Sequence, residues 1–306
     1  MTLEVGAMTA AGVAALIAGP ILARPRLAAA DRAGNLIVLG PICEASALAA
    51  FAAEHFTAAH DLAPIVPHWL PAPLFWVYFV GACLLATALS FLAWRCVRPA
   101  AALLALLFLI IVITLDLPGV PRHLHNHIFW TLTVRETAFA SGALVLSGSL
   151  WPRDHAAGQA LTRIGRTVLA AIMVFYGIEH FVFSHFVIGV PLEKPTPAWI
   201  PAPVLWAWLV GIALLLGAIG LLFQSTIRLA AAGTGLVLLL VTAFFYVPIL
   251  VSDFHSPALR VEGLNYIFDT LLFAATVLLA GFAAQPASAQ SAVQEEVPQH
   301  TAASLP

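Results

Sequence analysis

Apolar runs of about twenty residues recur along this chain, each long enough to cross a hydrocarbon core of roughly 30 Å. Backbone polar groups facing lipid must be paired within their own segment, so such runs fold as helices. Composition agrees. Hydrophobic residues make up 61% of the 306 and charged residues 9%, too little charge to coat a soluble globule of that size. Mean hydropathy is +0.97. The chain reads as an all-α polytopic membrane protein whose first partner is the lipid bilayer. A formal net charge of -2 and the absence of a basic patch exclude nucleic acid as a partner.

One phrase occurs twice. The first copy is Glu54-His55-Phe56 with His60, followed by Pro67-His68-Trp69-Leu70-Pro71-Ala72-Pro73. The second is Glu179-His180-Phe181 with His185, followed by Pro197-Ala198-Trp199-Ile200-Pro201-Ala202-Pro203. Trp76 and Gly81 follow the first, and Trp206 and Gly211 follow the second, at matching positions. The chain is therefore a tandem duplication, and each half is read against the other.

Eight spans follow from this reading, at about 35–56, 74–94, 100–117 and 128–150, then 164–185, 204–223, 227–251 and 263–283. They form two parallel four-helix bundles, over residues 34–151 and 164–283, joined by a cytoplasmic linker at 152–163. Residues 284–306, rich in Ala, Gln, Ser and Pro, are expected to form a disordered tail. Residues 1–33 hold an apolar helix broken by Pro20, read as an interfacial segment, with a cleaved signal or an extra span as alternatives.

Arg24, Arg26, Arg32, Arg95, Arg98, Arg153, Arg163, Arg166 and Arg228 fall on one side of this map, and Arg122, Lys194 and Arg260 on the other. The positive-inside rule makes the first side cytoplasmic, with both termini inside, in an inner (plasma) membrane. Four spans per unit point both copies the same way, as parallel repeats. His55, His60, His68, His123, His125, His127, His180, His185 and His255 then gather at the outer face.

Ionisable residues inside spans carry the functional reading, because a charge at a helix centre costs about 2.5–3.5 kcal/mol on insertion scales. They are Glu44, Glu54, His55, Arg135, Glu136, Glu179, His180 and Asp269, and Glu44 alone sits near mid-membrane. Aligning Gly148 with Gly281 sets Glu136 opposite Asp269. Each half thus offers a Glu-His pair on its first span and a carboxylate on its fourth, a set that can trade protons or hold a ligand's polar head. The same groups can instead pin helices together by hydrogen bonds. Arg135 is expected to fix one carboxylate as an ion pair, with Glu136, Glu54 and Asp116 as the candidates. Trp69 and Trp199 suit interfacial anchoring, or a lid over the outer site.

A metal is a weaker reading. The histidines of each phrase are five apart and diverge by about 140° on an ideal helix, so they cannot chelate from one face. His123, His125 and His127 alternate in a loop and could join His60 or His185. Haem would need paired histidines at matching depth. The cysteines Cys43, Cys83 and Cys96 form no C-x-x-C pair.

Gly177-Ile178-Glu179-His180-Phe181 and Ala52-Ala53-Glu54-His55-Phe56, each followed by a P-x-W-[LI]-P loop, give the chain a name to compare with. It resembles the DoxX-like membrane family, as a fused pair of its four-helix units. The resemblance implies a compact bundle in the inner membrane and an association with redox systems, including membrane oxidoreductase partners. The expectation is a redox-associated protein binding a small apolar ligand, a quinone or a lipid. In it His55 and His180 hydrogen-bond or protonate a ligand oxygen, and Glu54, Glu179, Glu136 and Asp269 orient them or relay protons. A non-catalytic accessory or scaffold subunit is the alternative, and a transporter a more distant one.

Overall fold

The computed structural model describes residues 2–190, 192 and 194–284; the tail expected beyond Ala284 lies outside the described residues. The fold is all-α. Its helices are α1 (Leu3–Leu22), α2 (Arg24–Ala29), α3 (Arg32–Thr57), α4 (Ala59–Leu62), α5 (Pro73–Ala93), α6 (Val97–Ile111), α7 (His127–Ser149), α8 (Ala156–Val182), α9 (Pro203–Leu222), α10 (Ile227–Val241), α11 (Val247–Asp253) and α12 (Pro257–Leu279). Among the described residues eight helical segments are long and apolar enough to cross a membrane, which fits a multi-pass membrane protein.

Membership of that set differs from the expectation in one place each way. α1 belongs to it, and α7 does not. α7 carries Arg135, Glu136 and a series of Thr, Ser and Gly, yet its second half is almost wholly buried. Neighbouring helices, not lipid, surround that half. Polar residues are tolerated on a helix of spanning length when protein solvates them.

Helix starts are set by local chemistry. Asp31 caps α3, its carboxylate accepting from the Gly34 N–H at 2.7 Å. That bond, with Arg228 at 2.6 Å, holds the Asp31 carboxyl below the ordinary carboxylate range. Asn126 caps α7 through Ile128, and His155 Nδ1 caps α8 by accepting from Gly158. The cap at His155 extends α8 back to Ala156, through the residues expected to be linker. Ala, Gln, Leu and Arg in that stretch are good helix formers. α5 and α9 begin at Pro73 and Pro203 after Ala72 and Ala202, both in the left-handed region at φ 54° and 49°. A proline at the first helical position loses no hydrogen bond.

The duplication is visible in the backbone. α6 and α10 both run into a five-residue π-helical turn, Val112–Asp116 in one repeat and Thr242–Tyr246 in the other. Gly81 lies against His55 and Phe56, and Gly211 against His180 and Phe181. Gly281 rests on Ile37 and Gly148 on Thr162, while Gly40 meets Leu278 and Leu279 and Gly165 meets Leu144 and Val145. Gly148 and Gly281 are therefore equivalent in packing, as aligned from sequence.

These contacts also show that the repeats interlock. The fourth helix of the first repeat, α7, packs along α8, the first helix of the second; α12 packs in turn along α3. α7 and α12 cross at Gly142, where Thr276 backbone comes so near that a Cβ would sit 3.0 Å from it. Two separate four-helix bundles were expected. Glycines at the crossings let backbones approach instead, and each unit closes through its twin.

α1 runs antiparallel to α3. Ser46 donates to the Gly12 carbonyl at 2.9 Å, and Gly19 lies against Ile42. This fits the extra-span alternative for the N-terminal segment, not the interfacial one. It also sets Leu3 at the end of the molecule that carries Glu54, while Ala280–Ala284 ends beside Ile37 and Trp94 at the other. The two ends of the described chain thus lie at opposite ends of the bundle; the termini themselves, expected on one side, lie outside the described residues. At the second of these ends Arg228 pairs with Asp31, Arg26 stacks over Trp94 at 4.4 Å, Arg98 over Trp151 at 4.3 Å, and Arg166 donates to Gln224. It is the arginine end; the other is the histidine end.

Candidate functional site

The two histidines of the repeated phrase are fixed alike. His55 Nδ1 lies 2.8 Å from the Phe51 carbonyl and His180 Nδ1 lies 2.7 Å from the Tyr176 carbonyl, one helical turn back in each case. A carbonyl only accepts, so Nδ1 carries the hydrogen and the lone pair of the neutral ring is on Nε2.

Here the repeats part. His180 is fully buried, and its Nε2 accepts from the Gly189 N–H at 3.0 Å. Both nitrogens are spent on backbone, so His180 has none left for the ligand oxygen it was expected to hold. The donor belongs to a segment that dips into the bundle. Val187 donates to Lys194 and Thr196 to His185 across a single bridge between Phe186 and Pro195. Val187, Ile188, Val190 and Leu192 are buried, with Gly189 at φ 119°. Thr270 donates to the Val190 carbonyl at 2.9 Å, and His127 Nε2 donates to that of Leu192 at 3.2 Å. A buried loop needs such partners, because unpaired backbone in an apolar interior is costly.

The first repeat has a shorter connection at this point. α4 and a 3-10 turn at Ala63–Ile65 lead along the surface to the exposed Trp69. Among the described residues His55 there carries only its bond to Phe51. Next to it Glu54, 8% exposed, accepts from Asn265 Nδ2 of α12 at 3.0 Å. Asn265 Oδ1 is buried without a donor. Deeper on α3, Glu44 is fully buried, and among the described residues neither carboxyl oxygen has a partner.

A second constellation lies where α7 crosses α12. Arg135 Nη1 donates to Asp269 at 2.7 Å and Nη2 to Glu136 at 3.0 Å. Asp116, the last residue of the first π-helical turn, is within electrostatic reach of both Arg135 and Glu136. The expected partner list for Arg135 held Glu136 but missed Asp269. Glu136 and Asp269 were assigned to separate sites, one per half; in the fold they share one guanidinium between the halves. That proximity comes from the crossing of two helices distant in sequence, which no local pattern signals.

The remaining candidates scatter. Glu179 is half-buried with Oε2 unpartnered, near His127. His123 stacks on Phe129 at 4.1 Å and His127 on Phe183 at 4.4 Å, while His185 lies tilted against Phe186 at 4.3 Å. His60 is exposed and His125 likewise. Among the described residues no three His, Cys, Asp or Glu side chains gather as metal ligands. The metal expectation for His60, His123, His125, His127 and His185 is therefore corrected: aromatic stacking and a carbonyl hold the rings apart. Trp69 is 68% and Trp199 51% exposed, as suits side chains at a membrane boundary rather than a closed lid. Missed from sequence were Asn265, Asp269 as an ion-pair partner, and the clasp of Gly189 on His180.

A family model described as "Domain of unknown function (DUF8561)" matches residues 45–142. The match covers the first repeat from mid-α3 into α7, including Glu54, His55, Arg135 and Glu136. No curated protein and no solved structure matches the chain.

Proposed function

We propose that this protein binds a small apolar ligand with a polar head, a quinone or a lipid, at the histidine end of its first repeat. Glu54, Asn265 and His55 form the polar contact, and the histidine end faces outward from the plasma membrane. The observation that carries this reading is the set of buried oxygens without donors. Asn265 Oδ1 and both oxygens of Glu44 are unsatisfied on α12 and α3, whereas a purely structural polar group is normally paired. Intramembrane ionisable groups of this kind mark ligand or proton paths. His55 Nε2 supplies an acceptor for a hydroxyl, or a donor when protonated, and Asn265 Oδ1 an acceptor. The redox context rests on the DoxX-like resemblance, and a membrane oxidoreductase is the partner that this reading implies.

The accessory-subunit reading has its own support. His180 Nε2 holds the buried loop through Gly189, and Arg135 Nη1 joins the two repeats through Asp269. The two readings separate on the first repeat.

Purified protein in mild detergent, extracted for quinones and lipids and titrated with a short-chain benzoquinone, is compared with His55→Ala and Asn265→Leu. Under the ligand reading both variants melt within a few degrees of the parent and lose stoichiometric binding. Quinone-free and lipid-free protein, or a His55→Ala variant that binds as before, would overturn it in favour of the scaffold.

A further inference from the structure

At the arginine end, on the far side of the bundle from Glu54, a cavity of about 430 Å³ opens between the end of α7, the start of α8, the α9–α10 turn and the residues after α12. Arg153, Arg163 and Arg166 line it, with Gln224, Trp151 and Phe282. Among the described residues none that lines it is Asp or Glu. Arg166 donates from Nη1 to Gln224 at 3.0 Å, and its Nε is buried without a partner. Ser149 Oγ, on the opposite wall, is likewise buried and unpaired. Arg163, one turn before Arg166 on α8, is exposed and makes no ion pair among the described residues.

Arg163 and Arg166, which face a hollow with no ion pair among the described residues, call for an anion. Arginine presents a planar fork that matches a phosphate in bidentate fashion, and a hydroxyl donor such as Ser149 completes such a site. The walls add a second clue. Trp151 and Phe282 add aromatic surface to the lining, against which the apolar part of an amphiphilic anion could rest. Basic pockets between transmembrane helices on the positively charged side are suited to anionic lipid headgroups. The volume lies within the range of small-ligand sites.

We propose that this cavity is a binding site for a phosphate-bearing anion, held by Arg163 and Arg166 with Ser149. The phosphate comes either from an anionic phospholipid of the inner leaflet or from a soluble phosphate compound. The site stands independently of the one at the histidine end.

The test uses the full chain in nanodiscs of phosphatidylcholine with and without phosphatidylglycerol, and in a third arm phosphatidylcholine with inorganic phosphate at matched ionic strength. Retained lipid is read by native mass spectrometry and melting by circular dichroism. The parent should retain phosphatidylglycerol over phosphatidylcholine, and Arg163→Gln/Arg166→Gln should weaken that retention roughly tenfold or more. Protection by inorganic phosphate, lost in the same variant, would assign the site to a soluble anion. Arg163→Gln alone, at an exposed side chain, answers the question if the double variant fails to fold. Arg260→Gln, at the histidine end, should change nothing. No preference for either anion, or equal retention by folded parent and variants, would overturn the proposal.

Discussion

At the scale of residues, the most consequential group is Arg135. It lies in a largely buried setting with two carboxylates, one from each repeat, and the side chains of all three are at most 15% exposed. Desolvation of such a set costs much of what attraction returns, so the cluster is weak evidence for stability as a whole. Removing one member is another matter, because it strands the others. Arg135→Ala should destabilise the protein by about 3–5 kcal/mol, read as a shift in detergent unfolding followed by circular dichroism. Replacing all three by apolar residues of similar size should recover most of the loss. An Arg135→Ala variant as stable as the parent would show that the cluster does not hold the repeats together. His180 makes the complementary point. A histidine next to a glutamate reads as chemistry in sequence, yet with each nitrogen bound to backbone it acts as a clasp.

At the scale of elements, glycine sets how closely helices cross. A Cβ at Gly142 would come 2.6 Å from Thr276 Cγ2 and 3.0 Å from Thr276 Cα and O. Backbone cannot turn aside as a flexible side chain can. Gly142→Ala should therefore cost about 1–3 kcal/mol by overpacking, whereas Gly233→Ala, with nothing within 4 Å of the added methyl, should be neutral or slightly stabilising. Both are measured by thermal melting in the same detergent. Equal melting of the two variants would mean that the α7–α12 crossing is looser than described. The paired π-helical turns after α6 and α10 belong to this scale too. Each places an irregular step at the same point of its repeat, and Asp116 ends the first of them beside the Arg135 cluster.

At the scale of the molecule, the direction of α1 decides topology. With α1 antiparallel to α3 and along its length, Thr2 and Asp154 belong to opposite ends. In a background lacking Cys43, Cys83 and Cys96, a membrane-impermeant maleimide should label Thr2→Cys from one side only and Asp154→Cys from the other. Labelling of both from one side would show that α1 does not cross. The all-α class, seven of the eight long apolar helices, the duplication, the Gly148–Gly281 register and the gathering of arginines were legible in the chain itself. Apolar run length, glycine spacing and charge bias are one-dimensional properties, and the physics of a bilayer reads them directly. Tertiary structure alone decided the rest. The exchange of fourth helices between repeats, the meeting of Arg135 with Asp269, the Glu54–Asn265 bond and the sealing of His180 by Gly189 all join residues far apart in sequence. Such contacts arise from how helices cross and how a loop folds back, and the physical reason they escape a linear reading is that packing geometry has no period along the chain.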